Sequence, residues 1–278
     1  MRRLPVLLVL LALPAAVAFV RLLATTPAAV LLGAALPPLA CAALLVLAAR
    51  RARDPAALLG AFLWGAVVAA FFATWVNDAF VVWAGEGRWR PVVPAVAAPL
   101  VEEAAKAAGL VLLVALRRGA LHDVLGGIVW GALVGLGFTL TENVRYLLLA
   151  AVQGGPAGLG RAIYLRALVG GFTHAAFTAT AGAGLGWGCQ TRSPRARRLA
   201  PPLGLLAAMG QHVGWNAVVS GAIARVVCNP ALPGGPCREA PTEAGLFVTI
   251  PLIVAATLGP GVLALVVIAV RAARRPAG

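Results

Sequence analysis

Ionisable and amide side chains interrupt several apolar stretches of this chain. A charged side chain near the centre of a bilayer costs about 2.5 kcal/mol or more, so each one is a functional-site hypothesis by default. The sequence carries a compact set of such residues between positions 102 and 216. The candidate catalytic residues are Glu102, Glu103, Lys106, Glu142, Asn143, His174, His212 and Asn216.

The adjacent carboxylates Glu102 and Glu103 indicate proton-transfer chemistry. Two neighbouring carboxylates in a low-dielectric site cannot both ionise easily, while Lys106, one turn further on, favours the ionised form of its neighbour. We therefore expect the pair to divide into an acid and a base. Such a glutamate can take a proton from water and return it to a leaving amine. Histidine and asparagine side chains can donate to the developing oxyanion. The set is suited to peptide hydrolysis in a hydrated pocket.

The sequence lacks the local motifs of other hydrolase classes. It contains no Gly-x-Ser-x-Gly elbow and no His-Glu-x-x-His helix, which are typical of serine hydrolases and of zinc proteases. No Cys–His arrangement within the apolar stretches suggests a thiol nucleophile.

The spacing of the polar residues predicts that they converge on one cavity. Residues three or four apart share a helix face. We estimated the depth of each residue by counting about 1.5 Å per residue from the helix end predicted to lie on the extracytoplasmic side. The set then lies roughly 10–18 Å below that surface, in the outer half of the membrane. The pairs that share a face are Glu102 with Lys106, Phe138 with Glu142, His174 with Phe177, and His212 with Asn216.

Glycines in the two middle helices predict close packing of their backbones. Small residues at helix interfaces let two backbones approach. They lie at Gly127, Gly131 and Gly135 in one helix and at Gly182, Gly184, Gly186 and Gly188 in the next.

The helices that must position these residues define the fold class. Of the 278 residues, 61% are hydrophobic and only 12% are charged, with a mean hydropathy of +0.93. A soluble domain has about 25% charged residues, so a soluble protein is excluded. We expect an all-α, polytopic bundle of about eight transmembrane helices, since a span needs about 20 apolar residues. The predicted spans are 4–24, 28–49, 56–83, 95–116, 123–150, 163–189, 199–224 and 245–270.

These spans divide the chain into three parts. Residues 1–94 contain helices 1–3, and residues 95–224 form a catalytic core of helices 4–7. Residues 225–278 contain an outer loop and helix 8. The active site is expected within the four-helix core.

The net charge of +14 is a signal of membrane topology. Connections on one side of the predicted bundle hold 14 of the 23 basic residues, and short cytoplasmic loops carry the Lys/Arg excess. They are Arg2, Arg3, Arg50, Arg51, Arg53, Arg117, Arg118, Arg192, Arg195, Arg197, Arg198, Arg271, Arg274 and Arg275. We expect a multi-pass protein of the cell membrane with both termini cytoplasmic. We expect the protein to be embedded in the lipid bilayer, and we do not expect it to bind nucleic acid.

The first helix also has features of a signal peptide. Arg2 and Arg3 precede an apolar stretch with small residues at 16–18, which is the pattern of a cleavage site. We expect a retained helix because the apolar run continues to Leu23.

The four cysteines are too few for a disulfide scaffold,. Cys228 and Cys237 flank a Pro- and Gly-rich loop on the outer side, where an oxidising compartment permits a bridge. We expect Cys228 and Cys237 to form a disulfide. Cys41 and Cys189 lie in predicted helices and are expected to be packing residues.

Several polar residues also have purely structural interpretations. Glu102 and Lys106 could instead form a buried ion pair with a structural role. His212 and Asn216 could instead form hydrogen bonds that hold neighbouring helices together. Near the helix ends, anchors at the membrane interface are favoured for Asn77, Asp78, Arg145 and Tyr146, and a structural cation for Arg166. A proton-coupled transporter or channel is the alternative function, since ionisable residues also line transport paths. Transport sites usually lie near the midplane between inverted repeats, and the chain shows no repeat.

Four motifs in order on consecutive helices resemble the PrsW family of intramembrane proteases. They are Glu102-Glu103-Ala-Ala-Lys106, Phe138-x-x-x-Glu142-Asn143, His174-x-x-Phe177 and His212-x-x-x-Asn216, and they cover residues 95–220. The family is similar to the broader group of CAAX-processing and bacteriocin-related membrane proteases. That group has a histidine where this chain has Glu142-Asn143.

The resemblance implies cleavage of a membrane-anchored protein, typically an anti-sigma factor, near its extracytoplasmic membrane boundary. Carried onto this sequence, Glu102 is the water-activating base, Glu103 supports it and Lys106 holds the charge of the pair. His174 helps to activate water, while His212 and Asn216 stabilise the oxyanion.

Glu142 would orient a histidine or bind a metal. Two histidines and a carboxylate, His174, His212 and Glu142, could bind zinc. The glutamate mechanism explains the same residues without it, so no cofactor is required on the preferred interpretation.

Overall fold

The computed structural model describes residues 4–48, 54–117, 121–219 and 243–274. Within these ranges the chain forms helices joined by short turns and contains no strand. The prediction of an all-α fold is therefore confirmed.

Helices α1 and α2 form an N-terminal hairpin. Helix α1 spans Leu4–Thr25 and α2 spans Ala28–Ala48. Their connection is only two residues long, because Pro27 cannot continue the first helix and begins the second,. The two hydroxyls at the end of α1 bond back into its last turn: Thr25 Oγ1 donates to the Arg21 carbonyl and Thr26 Oγ1 to the Leu22 carbonyl.

The next span is one continuous helical rod with a wider turn in its middle. Helix α3 (Pro55–Leu63) passes through a π-helical turn (Trp64–Ala69) into α4 (Ala70–Ala84). Asp54 caps its start, accepting the Ala57 amide. Gly85, with φ of 52°, ends it.

Helices α5 and α6 carry the first half of the predicted core. A π-helical turn (Val93–Ala97) leads into α5 (Ala98–Leu116), and α6 extends over Val124–Ala162. Asp123 caps α6 by accepting the Gly126 amide. The helix kinks sharply at Gly155, whose φ of 58° lies in the left-handed region, where a glycine is tolerated.

The prediction of one uninterrupted helix over 163–189 is wrong. After the kink the chain runs through Ile163–Val169, breaks at residues 170–172, and resumes as α7 (Thr173–Gln190). Gly170 and Gly171 occupy the break, and glycine is a poor helix former. The break starts a new helix one residue before His174.

Helices α8 and α9 complete the described structure. Helix α8 (Pro194–Gly214) continues as a π-helical turn (Trp215–Val219), and a similar turn (Gly245–Thr249) leads into α9 (Ile250–Arg274). The predicted Cys228–Cys237 disulfide lies outside the described residues. Cys41 and Cys189 lie in helices as expected, but both are exposed rather than packed.

Three described helical stretches are long and apolar enough to cross a membrane. They are Ala28–Leu47, Pro55–Ala84 and Val124–Gln190. A fourth results if Gly245–Gly259 and Gly261–Ile268, which meet at 45°, count as one. At 67 residues, the third stretch is far longer than the roughly 20 residues of a single span,. The total of eight spans stays a prediction.

Helix α6 lies at the centre of the bundle, and its packing against α7 confirms the predicted backbone approach. A side chain added at Gly127, Gly131 or Gly135 would meet the carbonyls of Gly182, Thr178 and His174, respectively. Gly184, in contrast, faces Gly204 of α8. Glycine contacts therefore hold α6, α7 and α8 together around the polar residues.

Candidate active site

The charged triplet of α5 is buried in the bundle. Glu103 and Lys106 are fully buried, and Glu102 is 6% exposed. The Lys106 ammonium donates to Glu103 Oε1 at 2.8 Å and lies 3.7 Å from Glu102 Oε2. It also lies 3.8 Å from the centre of the Phe138 ring, a cation–π contact that helps to hold a buried cation.

Glu103 is satisfied at both oxygens. Its Oε1 accepts from Lys106 and, at 3.0 Å, from His212 Nδ1, while its Oε2 accepts from Thr178 Oγ1 at 3.0 Å. A carboxylate with three donors on it is a fixed negative charge. Glu103 therefore serves to hold Lys106 and His212 in place.

His174 sits in the first turn of α7 with both ring nitrogens engaged. Its Nδ1 lies 2.9 Å from Lys106 Nζ, and its Nε2 lies 2.6 Å from Glu142 Oε2. An ammonium has only donors, so Nδ1 is the acceptor and Nε2 carries the proton. In this arrangement His174 has no free lone pair.

Glu142 is held by an arginine as well as by His174. Arg166, from the helical turn before the break, donates to Glu142 Oε2 at 2.6 Å. Its guanidinium also stacks 3.7 Å from the centre of the Tyr146 ring. Sequence analysis favoured a structural cation for Arg166, and the structure places it in direct contact with a predicted site residue.

Among the six linked residues of the set, Glu102 and His212 have unused acceptor atoms. Glu102 Oε1 accepts from Asn77 Nδ2 at 3.2 Å, but its buried Oε2 has no hydrogen-bond partner. His212 Nδ1 faces the Glu103 carboxylate and donates to it, which leaves a lone pair on Nε2. That Nε2 lies 3.8 Å from Glu102 Oε2. These two acceptors lie side by side with no donor between them, and a water molecule that bridged them would supply one.

Aromatic rings pack the two histidines against each other. The Phe177 ring stacks on His212 with 5.0 Å between ring centres, and the His174 and His212 rings lie 4.9 Å apart. Phe138 lies 5.1 Å from His174. The phenylalanines of the sequence motifs are therefore the walls of the site.

A cavity of about 700 Å³ opens beside Glu102. Its wall includes Glu142, Tyr146 and Asn216, and its rim includes Asp78 and Arg145. We refer to it as the Glu102 cavity. It provides the space for a substrate next to the partnerless carboxylate oxygen.

Two predicted site residues do not join the polar network. Asn216 lines the Glu102 cavity but donates to the Pro94 carbonyl at 2.9 Å. Asn143 is 1% exposed, and its Nδ2 has no partner. The other six predicted catalytic residues are linked by hydrogen bonds and close ionic contacts across α5, α6, α7 and α8.

Sequence reasoning missed three residues of the site. Thr178 follows His174 by four positions, so helical spacing could have identified it. Asn77 and Arg166 were polar residues inside apolar stretches, but their partners lie on other helices and no local pattern links them.

Comparison with protein families identifies the chain. Residues 53–256 match the model of the PrsW family intramembrane metalloprotease. The chain belongs to the PrsW family. The match covers all eight predicted catalytic residues, and it does not favour the transporter alternative. Comparison with curated proteins and with solved structures finds no match.

PrsW membership raises the question of a metal, and the donor chemistry of the site partly fits one. Ligand atoms of Glu102, His174 and His212 lie within 4.8 Å of one another, and two histidines with one glutamate form a common catalytic zinc set. Glu102 takes the place that sequence analysis gave to Glu142. Glu103, bonded to His212 Nδ1, would act as the outer carboxylate that orients a metal-binding histidine.

The same site also contains a competitor for a cation. Lys106 uses the lone pair of His174 Nδ1, and Glu142 accepts the proton of Nε2. A metal at His174 requires one of these two contacts to be released.

Proposed function

We propose that this PrsW-family intramembrane protease hydrolyses a peptide bond of a membrane-anchored, anti-sigma-factor-like protein near its extracytoplasmic membrane boundary. Glu102 activates the attacking water. The proposal rests mainly on one observation: the side chain of Glu102 lines a cavity, and its buried Oε2 has no hydrogen-bond partner and lies 3.8 Å from His212 Nε2.

In the proposed mechanism a water molecule binds between Glu102 Oε2 and His212 Nε2. Glu102 takes one proton as the water oxygen attacks the scissile carbonyl. Asn216, in the cavity wall, exchanges the Pro94 carbonyl for the developing oxyanion. The tetrahedral intermediate then collapses, the C–N bond breaks, and Glu102 returns the proton to the leaving amine. The products are a carboxylic acid, which keeps the second proton of the water, and an amine.

The remaining charged residues keep this pair in the reactive arrangement. Lys106 stabilises the ionised carboxylate of Glu102 from 3.7 Å. Glu103 fixes the tautomer of His212 through the 3.0 Å contact. His174 is engaged by Lys106 and Glu142, so the geometry favours His212 over His174 as the partner of the water.

Zinc is the alternative means of activating water in the same site. Glu102, His174 and His212 would hold it, and a bound zinc lowers the pKa of its water to about 7. Glu102 would then be a ligand, and the base would be a different group. The glutamate mechanism and the zinc mechanism predict different responses to a chelator.

The experiment compares cleavage of a tagged single-span anti-sigma factor by wild type, Glu102→Gln and His174→Ala in a co-expressing host. Glu86→Gln is the matched control, because this carboxylate is exposed and pairs only with Arg90 among the described residues. Loss of the fragment in the first two variants, retention in the control and no effect of chelator on isolated membranes support the glutamate mechanism.

Other outcomes separate the alternatives. Inhibition by chelator that added zinc reverses would transfer the assignment to a metalloprotease. Undiminished cleavage by both Glu102→Gln and His174→Ala would refute the site.

A further inference from the structure

Two clefts in the described part of the bundle approach the active site. One is the Glu102 cavity, whose longest walls are α4 and α6 and whose lining also includes Leu22 of α1, residues of α5 and Asn216. The other, of about 340 Å³, lies between α7, α8 and α9 and is lined by Phe177, Gln211 and Val262 among others. We call it the α7–α9 cleft. Either could admit a substrate from the surrounding lipid.

The α7–α9 cleft is separated from the catalytic residues by Phe177. This side chain is 1% exposed, and its ring stacks on His212. Its other contacts are with the α9 residues Ile250, Val254 and Leu258, which form one buried cluster with it. A chain in this cleft would meet the apolar side of His212 and would have to displace Phe177 to reach Glu102.

The Glu102 cavity is directly continuous with the catalytic carboxylate. Glu102 lines it, and the partnerless Oε2 belongs to a side chain that is only 8% exposed. Apolar side chains extend from this point to the surface of the bundle mainly along α6, whereas on α4 Val81 follows the polar Thr74, Asn77 and Asp78. Val81 of α4 is 45% exposed, and Leu149 and Val152 of α6 are 50% and 77% exposed. This apolar, outward-facing lining matches a membrane-spanning segment.

Helices α4 and α6 separate at the cavity. Below it, Thr141 of α6 donates to the Ala66 carbonyl at 2.5 Å. At the rim, Arg145 of α6 reaches across to α4, donating to Thr74 Oγ1 at 2.5 Å and lying 3.8 Å from Asp78. This bridge is exposed, and exposed ion pairs are weak, so an incoming chain can displace it.

We propose that the membrane-spanning segment of the substrate enters the site between α4 and α6. It lies against Val81, Leu149 and Val152 and displaces the Arg145 bridge, which brings the scissile bond beside Glu102. This route depends on the proposed protease function, and it excludes access through the α7–α9 cleft.

The test is site-specific photo-cross-linking in membranes. A benzophenone amino acid replaces Leu149 or Val152 in the Glu102→Gln chain, so that bound substrate is not consumed. The matched control places the same probe at Val262 of α9, in the α7–α9 cleft. The partner is the tagged single-span anti-sigma factor of the cleavage assay. We expect several-fold more adduct from positions 149 and 152 than from position 262.

Cleavage by the wild type is scored separately, so a failure of the route and a failure of the protease function can be distinguished. Adduct at position 262 equal to or above that at 149 and 152 would overturn the route. An absence of adduct at positions 149 and 152 would also overturn the route, even where the wild type cleaves the anti-sigma factor. Adduct at 149 and 152 without cleavage by wild type would support the route and reject the protease function.

Discussion

The two adjacent glutamates of α5 have opposite environments, and this assigns them different roles. Glu103 is bonded to Lys106, Thr178 and His212, whereas Glu102 has one oxygen without a partner. The partnerless oxygen of Glu102 can accept a hydrogen bond from a water molecule, whereas the oxygens of Glu103 are already occupied. A pair of substitutions separates these roles.

Glu103→Gln is expected to destabilise the folded protein, and Glu102→Gln is not. The first leaves a fully buried Lys106 without its closest counter-charge, and breaking a buried ion pair costs about 3–5 kcal/mol. The second alters the hydrogen bond with Asn77, which is worth about 1 kcal/mol, and the longer 3.7 Å contact with Lys106, whose 2.8 Å bond to Glu103 remains. Thermal unfolding of the purified variants in detergent measures the difference. A Tm of Glu102→Gln as low as that of Glu103→Gln would show that both residues are structural.

Arg166 acts on the site only through Glu142 and Tyr146, so its loss should affect turnover more than binding. Substitutions of outer residues that orient the ligands of a metal site typically cost about 10–100-fold in activity, and Arg166 orients Glu142 in a comparable way. We expect Arg166→Ala to lower kcat by this order with a small change in KM. Arg166→Lys should recover part of the activity, because it keeps the charge but loses the planar stacking on Tyr146.

Arg161→Ala is the matched control for Arg166, since Arg161 is exposed on the same helical segment. Steady-state cleavage in detergent gives both constants. An equal loss for Arg161→Ala, or a rise in KM without a fall in kcat, would remove Arg166 from the positioning role.

At the scale of the elements, the contact between α6 and α7 sets the position of His174. The two backbones touch at Gly135, where a Cβ would meet the His174 carbonyl and lie 2.6 Å from Ala175 Cα. Gly135→Ala must push α7 away, and overpacking of this kind costs about 1–3 kcal/mol. We expect lower Tm and loss of cleavage together, because His174 moves relative to Lys106 and Glu142.

Gly154→Ala is the control for Gly135→Ala. A Cβ at this position meets nothing within 4 Å, and replacing a helical glycine by alanine gains about 0.5–1 kcal/mol. Its Tm and cleavage should equal or exceed those of the wild type. Similar losses in both variants would mean that the α6–α7 contact does not position His174.

The helices were more predictable from the sequence than the details of the site. Apolar length identified the first four predicted helices within about three residues, because burial in a membrane requires long apolar runs. The next prediction, 123–150, ended 12 residues before the end of α6 at Ala162. The break at residues 170–172 was missed, since glycines and flanking apolar residues do not change hydropathy. The six linked site residues followed from charge within apolar stretches. Asn216 failed to join them because hydrogen-bond partners such as the Pro94 carbonyl depend on tertiary packing.

For the whole molecule, the position of the site relative to the membrane follows from the distribution of arginine. The connection between α7 and α8 carries Arg192, and the first turns of α8 carry Arg195, Arg197 and Arg198, all exposed. Short loops with such an excess remain in the cytoplasm. Glu102 lies near the opposite end of the bundle, because α5 begins at Ala98 and ends beside Arg117, another predicted cytoplasmic cation. We therefore expect the proposed cleavage on the extracytoplasmic side.

Reporter fusions test this orientation. A fluorescent protein inserted after Ser193 or fused to Gly278 should fluoresce, because it folds in the cytoplasm, whereas alkaline phosphatase should be active only when inserted after Gly87. Replacing both Arg195 and Arg198 by Gln should weaken the preference for this orientation, because it lowers the positive charge at the start of α8. Alkaline phosphatase activity after Ser193 would invert the bundle. Glu102 would then face the cytoplasmic half of the membrane, and an extracytoplasmic cleavage site would be impossible.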